Sequence, residues 1–326
     1  MIDHFNRIVG AALCLLCVAT ANAQNYPNRP ITIVVPFAAG GPTDVLARIA
    51  ADVIAKQMKQ PVIVENVPGA SGRIAATRVA RAEPDGYTLL MGNVTTHAAI
   101  QGLYKNPPYD PVKDFEPISI VALGPVVLVA RKTLPVTDLA SFIAYAKHNQ
   151  SKMNFGSSGV GTTGHIACVM LLKLLGIDVQ HVTYRGASAA MGDLLANQID
   201  FVCDLPVTTR PLLESNSVLA LVVGGDQRTA LLPTVPTADE AGLSGYRAYA
   251  WNGVFAPKGT PPDIISKLSA ALVSAFDDPA TARRIEMVGG DLPLPAQRSP
   301  EAFARYLRDD IVRWTEAIRS ANIVLE

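Results

Sequence analysis

Short apolar runs recur along the chain, each followed by a turn rich in glycine, proline or small polar residues. Beyond many of these turns, apolar residues return every three or four positions. The runs at 31–35, 61–64, 88–91, 118–122, 126–131, 153–155, 179–184, 199–203, 218–223 and 248–255 read as strands. Several, such as Ile31-Thr32-Ile33-Val34-Val35, are nearly continuous, the pattern of parallel strands covered on both faces. Helical spacing is clearest at 45–59, 166–175, 261–276 and 300–321. Gly176 offers a C-terminal stop to the second of these, and Ser299 with Pro300 opens the last as N-cap and first helical residue. In that last helix Phe303, Leu307, Ile311, Trp314 and Ile318 share one stripe, which marks a core face. The alternation predicts an α/β chain of two lobes, each a mostly parallel sheet flanked by helices, with a ligand cleft between the lobes.

Two turns stand out. Pro36-Phe37-Ala38-Ala39-Gly40-Gly41-Pro42-Thr43-Asp44 leaves the first strand and opens a helix. Gly156-Ser157-Ser158-Gly159-Val160-Gly161-Thr162-Thr163-Gly164-His165 does the same after 153–155. Glycine permits the tight turn, and a helix that begins there aims unpaired N–H groups and the positive end of its dipole at the turn. Neither turn contains Lys or Arg, so a small anion would be held by backbone and hydroxyl donors alone, which favours a carboxylate over a polyphosphate. Ligands of such sheets bind outside the carboxyl ends of strands, and facing turns across a cleft would use both. Gly124-Pro125 is the expected first crossover between lobes, with a return near 246–251. This divides the chain into a first lobe of 24–124 and 248–326 and a second of 125–247.

Composition narrows the class. The chain has 326 residues, 49% hydrophobic and 17% charged, enough for two packed cores. Twenty-eight basic residues balance 28 acidic ones, which argues against nucleic acid as partner. Arg7, an apolar run from Ile8 to Ala19 and Ala21-Asn22-Ala23 read as a secretory leader cleaved after Ala23, giving an exported, periplasmic protein. Cys14 and Cys17 leave with that leader. Of Cys168 and Cys203, which remain, two buried small hydrophobes are favoured over a disulfide, although an oxidising compartment allows one.

Other motifs fall short of chemistry. The second turn has P-loop glycine spacing, but Thr162 stands where the phosphate-binding lysine belongs. A hydrolase elbow needs glycine two residues either side of the serine; Ser158 is followed there by Val160, and Ser157 is preceded by Phe155. His165 and His97 lack neighbours at metal-ligand spacing, so no metal or cofactor is expected. Asp44, at the third helical position behind Gly41 and Pro42, is at least as well explained as a cap as by ligand contact. Asp204, at the carboxyl end of 199–203, is better placed to accept from a ligand hydroxyl or amine, or else organises its loop.

These segments resemble the extracytoplasmic solute receptors of the tripartite tricarboxylate transporter family, also called Bug-type receptors. The first and second turns carry the likeness, with Glu65-Asn66-Val67-Pro68-Gly69-Ala70-Ser71-Gly72, Pro84-Asp85-Gly86-Tyr87-Thr88-Leu89-Leu90, Tyr184-Arg185-Gly186, 232–237 and 256–262. It spans about residues 26–326. It implies a two-lobed, type II-like periplasmic-binding-protein fold that closes on a small carboxylate held by the two turns. Carried over, it nominates Phe37, Ala38, Ala39, Gly41 and Asp44; Asn93, Thr95 and Thr96; Ser157, Gly159, Gly161, Thr162, Thr163 and His165; and Asp204. The distal wall is placed at Asp204, Leu205, Ala187 and Trp251, with Arg185 or His97 available to a ligand's far end. Leu205 and Gln101 stand where the family commonly has Asn. Because Leu205 is aliphatic, an aromatic or linear mono- or dicarboxylate is favoured over a citrate-like hydroxy acid. The expected role is a monomeric, non-enzymatic receptor that delivers its ligand to membrane permease subunits. The alternatives are a sensor that docks on a signalling partner and an exported hydrolase using Ser158 with His165.

Overall fold

The computed structural model describes residues 26–320 and residue 323; the leader and its cleavage site lie outside these. The first sheet begins with β1 (Ile31–Val35), whose Ile31, Ile33, Val34 and Val35 are wholly buried. Helix α1 (Pro42–Met58) follows, with Gly41 as N-cap and Pro42 at its first position. Its Leu46, Ala47, Ile49, Ala50, Val53 and Ile54 pack on one face of the sheet. Then come β2 (Val62–Asn66), α2 (Arg73–Ala80), β3 (Thr88–Asn93) and β4 (Phe115–Pro125). The strand order is β2-β1-β3-β10-β4, where β10 (Tyr249–Pro257) returns from the far end of the chain. The pairs among β1, β2 and β3 are parallel; β10 runs antiparallel to both β3 and β4.

The second sheet holds β5 (Val127–Arg131), β6 (Asn154–Ser157), β7 (Gln180–Thr183), β8 (Phe201–Asp204) and β9 (Val218–Val223), in the order β7-β6-β8-β5-β9. Here β6 is parallel to β7 and β8, and β5 is antiparallel to β8 and β9. Both sheets are therefore mixed, where the sequence pattern suggests mostly parallel ones. The physical reason is β5 and β10. Each is buried on both faces like a parallel strand, so its apolar run carries no sign of its direction.

Helices α3 (Leu139–Asn149), α4 (Thr163–Leu175), α5 (Ala187–Leu195) and α6 (Pro206–Glu214) flank the second sheet. Helices α7 (Pro262–Ser274), α8 (Pro279–Met287) and α9 (Pro300–Ser320) follow β10; α7 and α9 pack on β4 of the first sheet and α8 on α1. The stripe Phe303, Leu307, Ile311, Trp314 and Ile318 is buried to 8% exposure or less, in one core with Phe255 and Ile120. Each such side chain contributes roughly 1.5–3 kcal/mol on leaving water. Helix α4 packs Ala167, Cys168 and Leu171 on its own sheet, while Ile166 joins the core of the first lobe. Helices α2, α3, α5, α6 and α8 are too short for periodicity to single them out, although Asp138 builds a capping box with Ser141 at the start of α3.

The chain changes sheet at Val126 and returns through 224–248. The crossing segments bond to one another: Val126 N–H to Ala248 O, Gly224 N–H to Val126 O and Ala248 N–H to Gly224 O, each 2.8 Å. A Cβ on Gly224 would lie 2.9–3.0 Å from Ala248, so only glycine allows this approach.

One expectation is overturned. Cys168 of α4 and Cys203 of β8 are joined in a disulfide, with Cα atoms 5.4 Å apart. Both are buried, and helix-to-strand packing, which sequence spacing does not show, brings them together.

Candidate functional site

Both glycine turns follow the carboxyl ends of parallel strands and lead into helices. In the first, Ala38, Ala39 and Gly40 are exposed, while Phe37 and Gly41 are half-buried. The turn is held from behind. Asp44, 2% exposed, accepts from Gly40 N–H at 2.9 Å, from Arg48 Nε and Nη2 at 3.0 Å each, and from Asn66 Nδ2 at 2.9 Å. Asn66 Nδ2 also reaches Phe37 O at 3.0 Å. Burial works to raise the Asp44 pKa, but the bonds from Arg48, Gly40 and Asn66 outweigh it and the carboxyl stays below its usual range. The expected cap of the helix by Asp44 is not formed: its carboxylate accepts from Gly40, ahead of the N-cap Gly41, and so braces the turn, with its oxygens already occupied. Arg48 offsets a charge that would otherwise repel an anion at this helix N-terminus. Arg48 and Asn66 were not among the expected site residues. The i, i+4 spacing of Asp44 and Arg48 is a local signal for one of them; Asn66 comes from the neighbouring strand.

Asn93 ends β3 and caps the helical turn Val94–Ala98: its N–H donates to Thr96 Oγ1 at 3.0 Å, and Thr96 N–H donates to Asn93 Oδ1 at 3.2 Å. Thr96 is wholly buried, so it shapes the turn and is closed to a ligand. Thr95, 4% exposed, makes no hydroxyl hydrogen bond to the described residues. His97 is fully enclosed, stacked 3.9 Å from Phe255 and bonded through Nδ1 to Thr96 Oγ1 at 2.9 Å. Burial pushes its pKa down to about 3, so it is a neutral core side chain that cannot reach a ligand's far end. Trp251, expected on the distal wall, is 1% exposed and donates to buried Asp310 at 2.7 Å. It belongs to the core between β10 and α9.

The second turn is organised around its own carbonyls. Gly159 and Gly161 adopt φ of +144° and +77°, conformations that favour glycine. Gly159 O accepts from Thr162 Oγ1 at 2.7 Å and from Ser157 Oγ at 3.0 Å. Ser157 Oγ also lies 2.8 Å from His181 Nε2 on β7. Gly161 N–H donates to His165 Nδ1 at 3.1 Å, which fixes that nitrogen as an acceptor. Burial, then His181, lowers the His165 pKa to about 3. The two imidazoles stack 4.1 Å apart behind the turn, beside Phe155. Ser157 is 3% exposed and His165 5%, so both shape the turn from within. Ser158 and His165 form no hydrogen bond with each other; His165 Nδ1 is taken by Gly161 N–H instead. Thr162 and Thr163 stay half-exposed at the start of α4, whose first N–H groups have no helical acceptor. Sequence reasoning missed His181; the β6–β7 pairing sets it opposite Phe155, from where its ring reaches Ser157 two residues further along β6.

Asp204 is the last residue of β8, the strand beside β6. Its Oδ1 accepts from Leu205 N–H at 2.7 Å, and it is half-buried. Burial raises its pKa to about 6 against the lowering effects of Leu205 N–H and the Thr208 hydroxyl. Leu205, the N-cap of α6, is half-buried and leans on the core of the second lobe. Ala187 opens α5 after Gly186, which has φ +109°. Arg185, in the preceding turn, is exposed and has no ion-pair partner among the described residues.

Cavities of about 590 and 890 Å³ lie away from the turns' outer surfaces. The first runs beside β9 and 234–236, and the second lies between α4 and β7, behind the second turn. Among the described residues no group of His, Cys, Asp and Glu could hold a metal ion, and no helix is long and apolar enough to cross a membrane.

Two α/β lobes joined where Val126, Gly224 and Ala248 bond to one another, each with a glycine turn at strand carboxyl ends, define a two-lobed periplasmic-binding-protein fold. The chain belongs to the receptor family of tripartite tricarboxylate transporters: the profile described as "Tripartite tricarboxylate transporter family receptor" matches residues 46–323. The UPF0065 protein of the TAR-I ttuE-ttuC' intergenic region of Agrobacterium vitis is 36% identical over 322 residues, 99% of this chain and 92% of that protein. Among solved structures, MatC (Rpa3494) from Rhodopseudomonas palustris with bound malate has a TM-score of 0.82 and 40% identity, covering 90% of this chain and 100% of that one. R. palustris Rpa4515 with adipate has a TM-score of 0.84 and 32% identity, covering 92% and 100%.

Proposed function

We propose that this protein is a periplasmic receptor that captures a small carboxylate between its lobes, divided at 124/125 and 247/248, and delivers it to the membrane permease subunits of a tripartite transporter. The observation that carries the reading is the pair of turns free of Lys and Arg, each at a helix N-terminus, in a chain of this receptor family. The ligand's carboxylate sits against the exposed first turn and the Thr162–Thr163 start of α4, where charge-assisted N–H bonds are worth roughly 1.5–3 kcal/mol each. Malate in MatC and adipate in Rpa4515 set the size of such ligands. Beside Leu205, an aromatic or linear mono- or dicarboxylate avoids an unpaired hydroxyl. The receptor acts as a monomer, without catalysis, metal or cofactor.

The test is a thermal-shift and calorimetric screen of the mature protein against aromatic acids, linear mono- and dicarboxylates, malate and citrate. A ligand at a hundred times its Kd should stabilise the fold by about 2.7 kcal/mol. No shift with any acid would end the reading. Tighter binding of citrate or malate than of every aromatic or linear acid would end its ligand preference.

A further inference from the structure

Asn252 of β10 is 7% exposed, yet its amide is unspent. Oδ1 is enclosed without a donor, and Nδ2 meets no acceptor among the described residues. A side-chain amide carries two donors and an acceptor, and leaving them unpaired away from water costs free energy. Valine or leucine would fill a core strand position without that cost, so packing does not account for an asparagine here.

This amide stands on the edge of the first sheet that faces the second lobe. Strand β10 begins at Tyr249, directly after Ala248 bonds to Val126 and Gly224 where the lobes join. Asn252 is opposite Asn93, the last residue of β3. Val34 of β1 is opposite Leu90 of β3, so three residues further on Asn93 is level with Phe37, in the first glycine turn. Alternation gives the face. A Cβ on Gly92 would meet His97, and one on its partner Gly253 would meet Phe303, so that pair looks into the core shared with α9. Asn93 and Asn252 look the other way. Met91 and Val254, two residues along on the same face, pack in one core with Leu46 and Ala47 of α1, the helix that the first turn opens. The second lobe comes to the same place. A Cβ on Gly290 would lie 2.7 Å from that of Ala122, the partner of Asn252 on β4, and one on Gly289 would lie 2.7 Å from the backbone nitrogen of Val207 in α6.

Asn93 Oδ1 already accepts from Thr96 N–H, which leaves Asn93 Nδ2 as a donor without an acceptor. Residues directly opposite on neighbouring strands have Cβ atoms about 5 Å apart, so one amide can reach the next. We propose that Asn252 is a specificity-determining residue that selects dicarboxylates. Its Nδ2 donates to the second carboxylate of a ligand whose first carboxylate sits at the glycine turns, and its Oδ1 accepts from Asn93 Nδ2. The inference rests on the receptor reading above and names the residue that reads the ligand's far end. Strand β10 lies two strand spacings, about 10 Å, from β1. A lone carboxylate at the first turn cannot also meet Asn252, whereas a second carboxylate on a short linear chain can. The bond is charge-assisted on the ligand's side and strong for a neutral donor.

The experiment is calorimetry of the mature protein with acids matched in chain length, adipate with hexanoate and succinate with butyrate, and with benzoate. Wild type should bind a dicarboxylate about tenfold or more tightly than the monocarboxylate of its length. Asn252→Leu keeps the number of side-chain heavy atoms and removes both polar ends. It should weaken dicarboxylate binding about ten- to hundredfold, the loss of one hydrogen bond to a charged group, and leave monocarboxylate binding as it was. The melting temperature of the ligand-free variant should be equal or higher, because an unpaired buried amide is gone. Asn252→Ala gives the same comparison if that variant does not fold. A wild type without the dicarboxylate preference, an equal loss for both members of a pair, or no loss at all overturns this inference alone. So does a loss accompanied by a marked fall in the ligand-free melting temperature, which would make Asn252 a merely structural residue. Failure of every acid to bind wild type overturns it together with the receptor reading.

Discussion

The disulfide between Cys168 and Cys203 should be a main support of the second lobe. It closes a loop with a sequence separation of 35 residues. In the chain-entropy treatment, such a cross-link removes about 13 cal/mol/K of freedom from the unfolded chain, which is about 4 kcal/mol at 25 °C. The folded state loses little packing on reduction, because both sulfurs stay in an apolar core with Phe201, Leu171 and Phe155. The link joins α4, which begins at the second turn, to β8, which ends at Asp204, so it also holds the two halves of the candidate site together. Denaturant unfolding followed by circular dichroism, with and without reductant and on the Cys168→Ala/Cys203→Ala double variant, measures the effect. Both the reduced protein and the variant should unfold about 3–4 kcal/mol more easily. Their carboxylate affinity should fall by a smaller factor, since the turn's own bonds persist. Identical midpoints for oxidised and reduced protein, or two titratable thiols in mature protein unfolded without reductant, would refute the reasoning.

Replacing Asp44 by Ala leaves Gly40 N–H and Asn66 without their acceptor and frees Arg48; because Arg48 is about half exposed, the loss should be about 2–3 kcal/mol by urea unfolding. The Asp44 pKa is depressed on folding, so its stabilisation is complete above the unfolded carboxyl value near 3.8 and fades as pH falls through the lower folded value. An acid-unfolding profile that Asp44→Ala leaves unchanged would contradict this. Thr162→Ala removes the hydroxyl that binds Gly159 O at 2.7 Å and stands beside the proposed carboxylate position. Calorimetry should show about tenfold weaker binding, with a stability loss of no more than about 1 kcal/mol; unchanged affinity would show that the second turn only shapes the fold.

The features legible in the amino-acid sequence are those that depend on near neighbours along the chain. Glycine spacing, Pro42 behind Gly41, the Gly176 stop and the five-residue stripe of α9 are set by backbone sterics and helical period, so local pattern was enough to place them. The local reading also put Asp44 at the turn, though its carboxylate braces Gly40 and does not cap the helix. Its partner Asn66, the Cys168–Cys203 bond, the His165–His181 stack behind Ser157 and the capture of Trp251 by Asp310 join residues 16 to 59 positions apart. Nothing in a one-dimensional pattern distinguishes a tryptophan that lines a cleft from one that donates into a core. The directions of β5 and β10 were likewise hidden, because burial on both faces erases the alternation that would reveal them. Only packing decides which hydroxyls face a ligand and which bond inward, since that depends on what lies behind each turn. Ser157, Thr96 and His165 turned inward because a neighbouring strand, a cap and a glycine N–H were already there to meet them.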